Sequence, residues 1–136
     1  MSQQPCRGVR VPLLLALALA CGACGRTDRK LEQQRDSLKS LTASTAAIGE
    51  AWLAGSLSGT FTATALEQVF LLLEQQRQAL AAAPNTLVDQ RAVELSQAGE
   101  ALARLLAAMM HDVRAADARA VREHLSRLRT IGSDSR

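Results

Sequence analysis

The sequence predicts an all-α fold: an antiparallel up-down helical bundle of three or four helices that follows a cleaved signal segment. Three observations carry this expectation. Ala, Leu, Gln, Arg and Glu dominate the chain, and all are good helix formers. Aromatic residues make up only 2%, which leaves little to furnish the faces of a sheet. Apolar residues recur at helical spacing between two breaks, Gly55 to Gly59 and Pro84-Asn85. The connections at those breaks are short, so consecutive helices must be antiparallel neighbours. The 136 residues suffice for one small domain once a leader is set aside.

The first helix is expected over about 28–54. Leu31, Leu38, Thr45 and Trp52 repeat every seven residues, and Leu41 and Ile48 fill the second seam position. Gly55 ends it, since glycine accepts the left-handed backbone of a helix C-cap. The second helix is expected over about 63–82, with Thr64 and Glu67 at capping-box spacing. Val69 to Leu73 is five apolar residues in a row, so this helix is placed centrally, buried on several sides; a partner-binding apolar face is the alternative.

Pro84 stops the second helix, and Thr86 with Asp89 signals a third over about 87–114. Its seam runs Val88, Ala92, Leu95, Gly99, Leu102, Leu106, Met109 and Val113, with Ala92 and Gly99 small enough to admit a close neighbour. Asp117 falls where the seam would continue. An acid there is costly if buried and favourable as an N-cap, so the chain is split near Ala115 to Asp117. A fourth helix over about 118–130 then carries Val121, Leu125, Leu128 and Ile131; the alternative is one helix of about 44 residues, roughly 66 Å long. Residues 132–136 are expected to be a disordered tail.

The leader is the informative part. Arg7 and Arg10 precede Val11 to Ala20 (VPLLLALALA), an uncharged run that would span only about 15 Å as a helix. That is half of a bilayer core of about 30 Å, so the run suits an export signal rather than a permanent anchor. Ala18-Leu19-Ala20 fits the small-x-small pattern of ordinary signal peptidase cleavage, making residues 1–20 a signal peptide. Ala18-Leu19-Ala20-Cys21 also resembles the lipobox of bacterial lipoproteins, although Ala18 stands where that family prefers Leu. The resemblance implies a diacylglyceryl group on Cys21, with Cys24 as the alternative, and residues 21–27 as a lipidated flexible stem. It covers only the first two dozen residues. It places the protein in the bacterial cell envelope, held to the membrane by its N-terminal lipid. The absence of Asp after either cysteine points to the outer membrane. Two or three acyl chains make such attachment stable, at about 0.8 kcal/mol per buried methylene.

Cys21 and Cys24 form a CxxC, but no βαβ pattern follows to make it a redox site. Gly25 stands where haem attachment requires His, and His111 and His124 are too isolated to complete a zinc site. No metal or cofactor is therefore expected. The formal charge of +3 includes Arg7 and Arg10, and every acidic residue lies beyond them, so the remainder is near neutral and shows no bulk attraction to nucleic acid. The last segment is basic, with Arg114, Arg119, Arg122, Arg127 and Arg129, and reads as a solvated face without aromatics for base stacking.

No enzymatic constellation emerges. His111 and Asp112 are adjacent, so on a helix they point about 100° apart. His124 is expected to face outward beside Arg127, and Glu94 with Arg91 and Glu100 with Arg104 read as surface pairs. There is no Glu-x-x-His for a di-iron bundle, no phosphate loop and no nucleophile elbow. Trp52 is read as a core plug between helices, or alternatively as a partner anchor. Leu71, Leu72, Met109 and Met110 are candidates to line a partner-binding groove. The expected function is a non-enzymatic structural or protein-interaction module tethered in the envelope and meeting an unknown envelope protein. The alternative is a soluble periplasmic or secreted binding or chaperone-like protein.

Overall fold

The computed structural model describes the backbone of residues 10–82 and 89–133, and side chains within 28–82 and 89–130. Among these residues the chain forms four α-helices: α1 (Arg10–Leu53), α2 (Gly59–Ala81), α3 (Gln90–Arg114) and α4 (Ala118–Ser133). The all-α bundle read from the sequence is therefore the fold. The chain divides into two compact units, Met1–Gln33 and Gln34–Arg136. In the first, residues 10–33 are helical backbone, and Asp28, Arg29 and Lys30 are exposed.

The second unit holds the core. α1 and α2 run antiparallel: Gln76 donates to the Ser37 hydroxyl at one end, and Trp52 lies against Gly59 at the other. α2 and α3 are also antiparallel, with Arg77 beside Gly99 and Gly59 beside the Val113 carbonyl. α3, not α2, is the central helix. It buries Leu102, Ala103, Leu105, Leu106, Met109 and Val113, a wide arc that faces α2 on one side and α4 on the other. α2 buries a single face, Thr62, Ala63, Leu66, Val69, Leu73 and Leu80. Its five-residue apolar run misled because Leu71 and Leu72 point outward. α4 contributes Val121, Leu125 and Leu128.

Helix ends follow local chemistry. α2 begins earlier than expected because Ser58, not Thr64, is its N-cap, its hydroxyl accepting from the Phe61 N–H. α3 begins later than expected, because the Asp89 side chain is itself the cap and accepts from the Arg91 N–H. The side-chain hydrogen bond from Arg91, then that backbone bond, holds the Asp89 carboxyl below its ordinary pKa. Pro84-Asn85, Thr86, Leu87 and Val88 lie outside the described residues. At the other boundaries, the stem expected over 21–27 is helical backbone within α1, and Gly132 and Ser133 are helical backbone within α4. Once a helix is nucleated each added residue gains a hydrogen bond, so neighbouring Ala and Leu can carry Gly22 and Gly25 at about 1 kcal/mol each. Residues 134–136 of the expected tail lie outside the described residues.

The split before α4 is present, and it is built like the end of α1. After α1, Gly55 takes a left-handed φ of 74°, with Ser56 N–H bonded to the Ala51 carbonyl at 2.9 Å. After α3, Ala116 takes φ 55°, with Asp117 N–H bonded to the Asp112 carbonyl at 2.9 Å. Both are Schellman closures, but the second lacks the glycine that makes the left-handed position easy. Asp117 then caps α4, its Oδ1 accepting from the N–H groups of Arg119 at 3.1 Å and Ala120 at 3.0 Å. Ala116→Gly is expected to raise unfolding stability by about 0.5–1 kcal/mol. Asp117→Ala should lower it by about 1 kcal/mol. Urea unfolding of the two variants measures both signs.

Small residues set how closely the helices approach. A Cβ at Gly49 would lie 2.8 Å from Met109 Cε and 3.1 Å from Leu125 Cδ2, so α1, α3 and α4 converge there. A Cβ at Gly99 would meet the Arg77 stem at 3.4 Å and Leu73 Cδ1 at 4.0 Å. Gly99→Ala should therefore gain the helix-propensity difference of up to about 1 kcal/mol. Gly49→Ala should lose it to overpacking and end about 1 kcal/mol or more less stable. Thermal melts of the pair decide; equal shifts would refute convergence at Gly49.

Candidate functional site

Three places in the described residues stand out: two that hold partly buried polar groups and one that exposes large apolar side chains. The first is the corner between α3 and α4. Asp112 lies on the last turn of α3 and His124 on α4, and the two meet because the chain folds back between them, at Asp117. His124 Nε2 and Asp112 Oδ2 are 2.7 Å apart, with the two side chains only 13% and 20% exposed. His124 is thus not an outward-facing surface residue; the fold-back turns it inward toward α3. His124 Nδ1 is buried and has no hydrogen-bond partner among the described residues. The pair clasps α4 to α3. Removing one member leaves the other half-buried and unsatisfied, which costs about 1–3 kcal/mol. A double-mutant cycle of Asp112→Ala and His124→Ala, read by denaturant unfolding, should give a favourable coupling energy of about 1 kcal/mol; additivity would show that no clasp exists.

The second is a cleft where α1, α2 and α3 meet, lined by Gln34, Leu38, Leu73, Gln76, Arg77 and Gly99, among others. Its volume of about 250 Å³ includes space open to solvent. Arg77 crosses its rim, with Nη1 on Glu74 at 2.5 Å and a buried Nε without a hydrogen-bond partner.

The third is the outer surface of α2. Phe61, Leu71 and Leu72 are 60%, 53% and 51% exposed, the large apolar side chains most open to solvent among the described residues.

The residues singled out for partner binding separate in the structure. Leu71 and Leu72 are on that outer surface. Met109 is fully buried between Gly49 and Leu125, so it is not available to a groove, and Met110 is half-buried against the core. Trp52 is half-buried and packs on the core cluster, its Nε1 3.7 Å from where a Gly59 Cβ would stand. That is the place of a plug at the α1–α2 turn. Cys21 and Cys24 belong to the helical backbone of α1, and their side chains lie outside the described residues.

Charges elsewhere are dispersed. Glu100 and Arg104 pair at 2.8 Å, and Arg91 turns back to Asp89 at 3.1 Å. Arg114, Arg119, Arg122, Arg127 and Arg129 are exposed, with Arg119 on Glu123 and Arg129 reaching Glu50 of α1. Among the described residues no three His, Cys, Asp or Glu side chains group as metal ligands, and no helix is long and apolar enough to cross a membrane.

Sequence reasoning missed Phe61 and the Asp112–His124 pair. The pair was legible in principle, since a chain that folds back at Asp117 brings residues on either side of it, five before and seven after, near one another. Comparison with protein-family models, curated proteins and solved structures returns no match.

Proposed function

We propose that this chain is the precursor of a lipid-anchored bacterial envelope protein whose helical bundle is a non-enzymatic structural or protein-interaction module. The observation that carries the reading is the run from Arg7 and Arg10 through Val11–Ala20 to Ala18-Leu19-Ala20-Cys21. A basic start, a short apolar stretch and small residues before a cysteine are what export and lipid transfer require. Cys21 takes the diacylglyceryl group, Cys24 being the alternative, and the outer membrane is the expected destination. The interaction role is supported by an aliphatic interior and an exposed apolar surface on α2, which suit association better than catalysis. The partner in this reading is an envelope protein.

The same leader also ends in Ala18-Leu19-Ala20, which ordinary signal peptidase accepts, and this favours a soluble periplasmic or secreted binding protein as the second reading. Intact-mass measurement of the protein extracted from bacterial membranes separates the two. A chain beginning at Cys21 with added diacylglyceryl mass is the expected result. A chain beginning at Cys21 without lipid supports the second reading. An uncleaved chain overturns both.

A further inference from the structure

We infer that the outer face of α2 is a self-association surface that pairs with the α2 of a second copy of this chain, antiparallel, across a two-fold axis near Leu71. This inference stands on α1 and α2 alone and holds whether or not Cys21 carries lipid. Phe61, Ala65, Gln68, Leu72, Gln75 and Ala79 recur at alternating spacings of four and three, the seam of a coiled coil. The face that packs on the bundle is a different one, built on Leu66, Val69 and Leu73. So α2 carries a buried apolar face and a second, uncharged stripe that mixes apolar residues with Gln68 and Gln75, and the bundle covers only the first. Of the second, Ala65 is half-buried and the other five are exposed.

Three features argue for a second copy as the occupant. The first is the pairing the stripe makes with its own reverse, which sets the largest side chain, Phe61, against the small Ala79. In an antiparallel pair centred on residue 70, Phe61 faces Ala79 of the other copy, Leu72 faces Gln68, and Ala65 faces Gln75. Leu71, one seam position to the side, then meets its own symmetry mate, as an isologous interface demands. All three large exposed apolar side chains are thereby accounted for.

The second feature is charge. Glu67, Glu74 and Arg77, the charged residues of α2, lie off the stripe, and its flank holds Thr64, Leu71 and Gln78. An acidic or basic partner finds nothing to pair with here, whereas a second uncharged stripe brings no buried charge and no repulsion.

The third feature is access and area. Ser37, which accepts from Gln76, marks the side of α1 next to α2. From it Ser40, Ser44, Ala47 and Ala51 continue at the same three-four spacing, small and uncharged, so an incoming helix can approach α1 as well. The stripe is about 27 Å long from Phe61 to Ala79, and two helices present a strip about 20 Å wide. The footprint is roughly 500 Å² per copy, or about 1,000 Å² in all, at the lower limit of a specific interface. Association should accordingly be reversible and concentration-dependent.

Disulfide cross-linking of the full chain tests the geometry, with Cys6, Cys21 and Cys24 replaced by Ser to clear the background and the protein kept in mild detergent. Leu71→Cys should cross-link to itself. Phe61→Cys chains mixed with Ala79→Cys chains should cross-link to one another. Phe61→Cys alone should not, because its two copies would stand about 27 Å apart. Adding Leu71→Glu, which places two like charges at the axis on an already exposed site, should abolish the Phe61–Ala79 product while the circular dichroism spectrum stays unchanged. Self-linking of Phe61→Cys would mean a parallel or unspecific pair and would overturn the proposal. No product at any position would overturn it too and assign the stripe to another partner or to a lipid surface.

Discussion

The bundle depends on the buried arc of α3 between Leu102 and Val113. Leu102, Leu106 and Met109 are fully enclosed, and each apolar side chain removed from water there contributes about 1.5–3 kcal/mol. An arc this wide cannot be covered by one neighbour. α2 covers one flank and α4 the other, and α1 closes over Met109 where Gly49 lets it approach. The position of every other element follows from this need. α4 must fold back at Ala116, because a straight continuation of α3 would leave Val113 and Met109 facing water. The left-handed Ala116 is therefore tolerated: its conformational cost of about 1 kcal/mol is smaller than the burial that the corner makes possible.

The corner also explains why the polar clasp sits where it does. Two helices joined by a tight turn diverge unless something holds their first turns together. Near the turn the apolar seam is thin, since Ala115 and Ala116 are exposed and Asp117 is taken up by its cap. Asp112 and His124 bridge that gap with a hydrogen bond of 2.7 Å. A third tie, Arg129 to Glu50 at 3.4 Å, is exposed and adds little by comparison.

Much of the fold was legible because periodicity and caps are local properties. Leu38, Leu41 and Thr45 of the expected α1 seam are buried, as are Ala92, Gly99, Leu102, Leu106, Met109 and Val113 of the α3 seam. Asp117 gave away the break because a carboxylate is costly in a seam and favourable at an N-cap. What was not legible depended on which of two apolar faces a helix buries. The run Val69 to Leu73 meets the needs of either face, and only the placement of α1 and α3 shows that Val69 and Leu73 go in while Leu71 and Leu72 go out. The Asp112–His124 pair hid for the same reason: its members are twelve residues apart and meet only through the corner. The ends of α2 and α3 were misjudged because Ser58 and Asp89, each a strong cap, compete with Thr64 and Thr86 at nearly the same place in the chain.

The two faces of α2 obey different constraints. The inner face is fixed by the fold: shrinking Leu66 or Leu73, both enclosed, would leave a cavity at a cost of about 2–5 kcal/mol. The outer face is not. Phe61, Leu71 and Leu72 are more than half exposed, so polar residues there would leave the packed core untouched and would improve solubility. A single exposed Leu needs no explanation. Three large apolar residues on one uncharged helix face, beside a flank of Ser and Ala on α1, are a different matter. The stability of the lone bundle does not require them, and a solvated surface would be better served by the charges α2 keeps for Glu67, Glu74 and Arg77. That contrast is why the proposed self-association is placed on the outer surface of α2 and not at the cleft beside Arg77 or the clasp at His124.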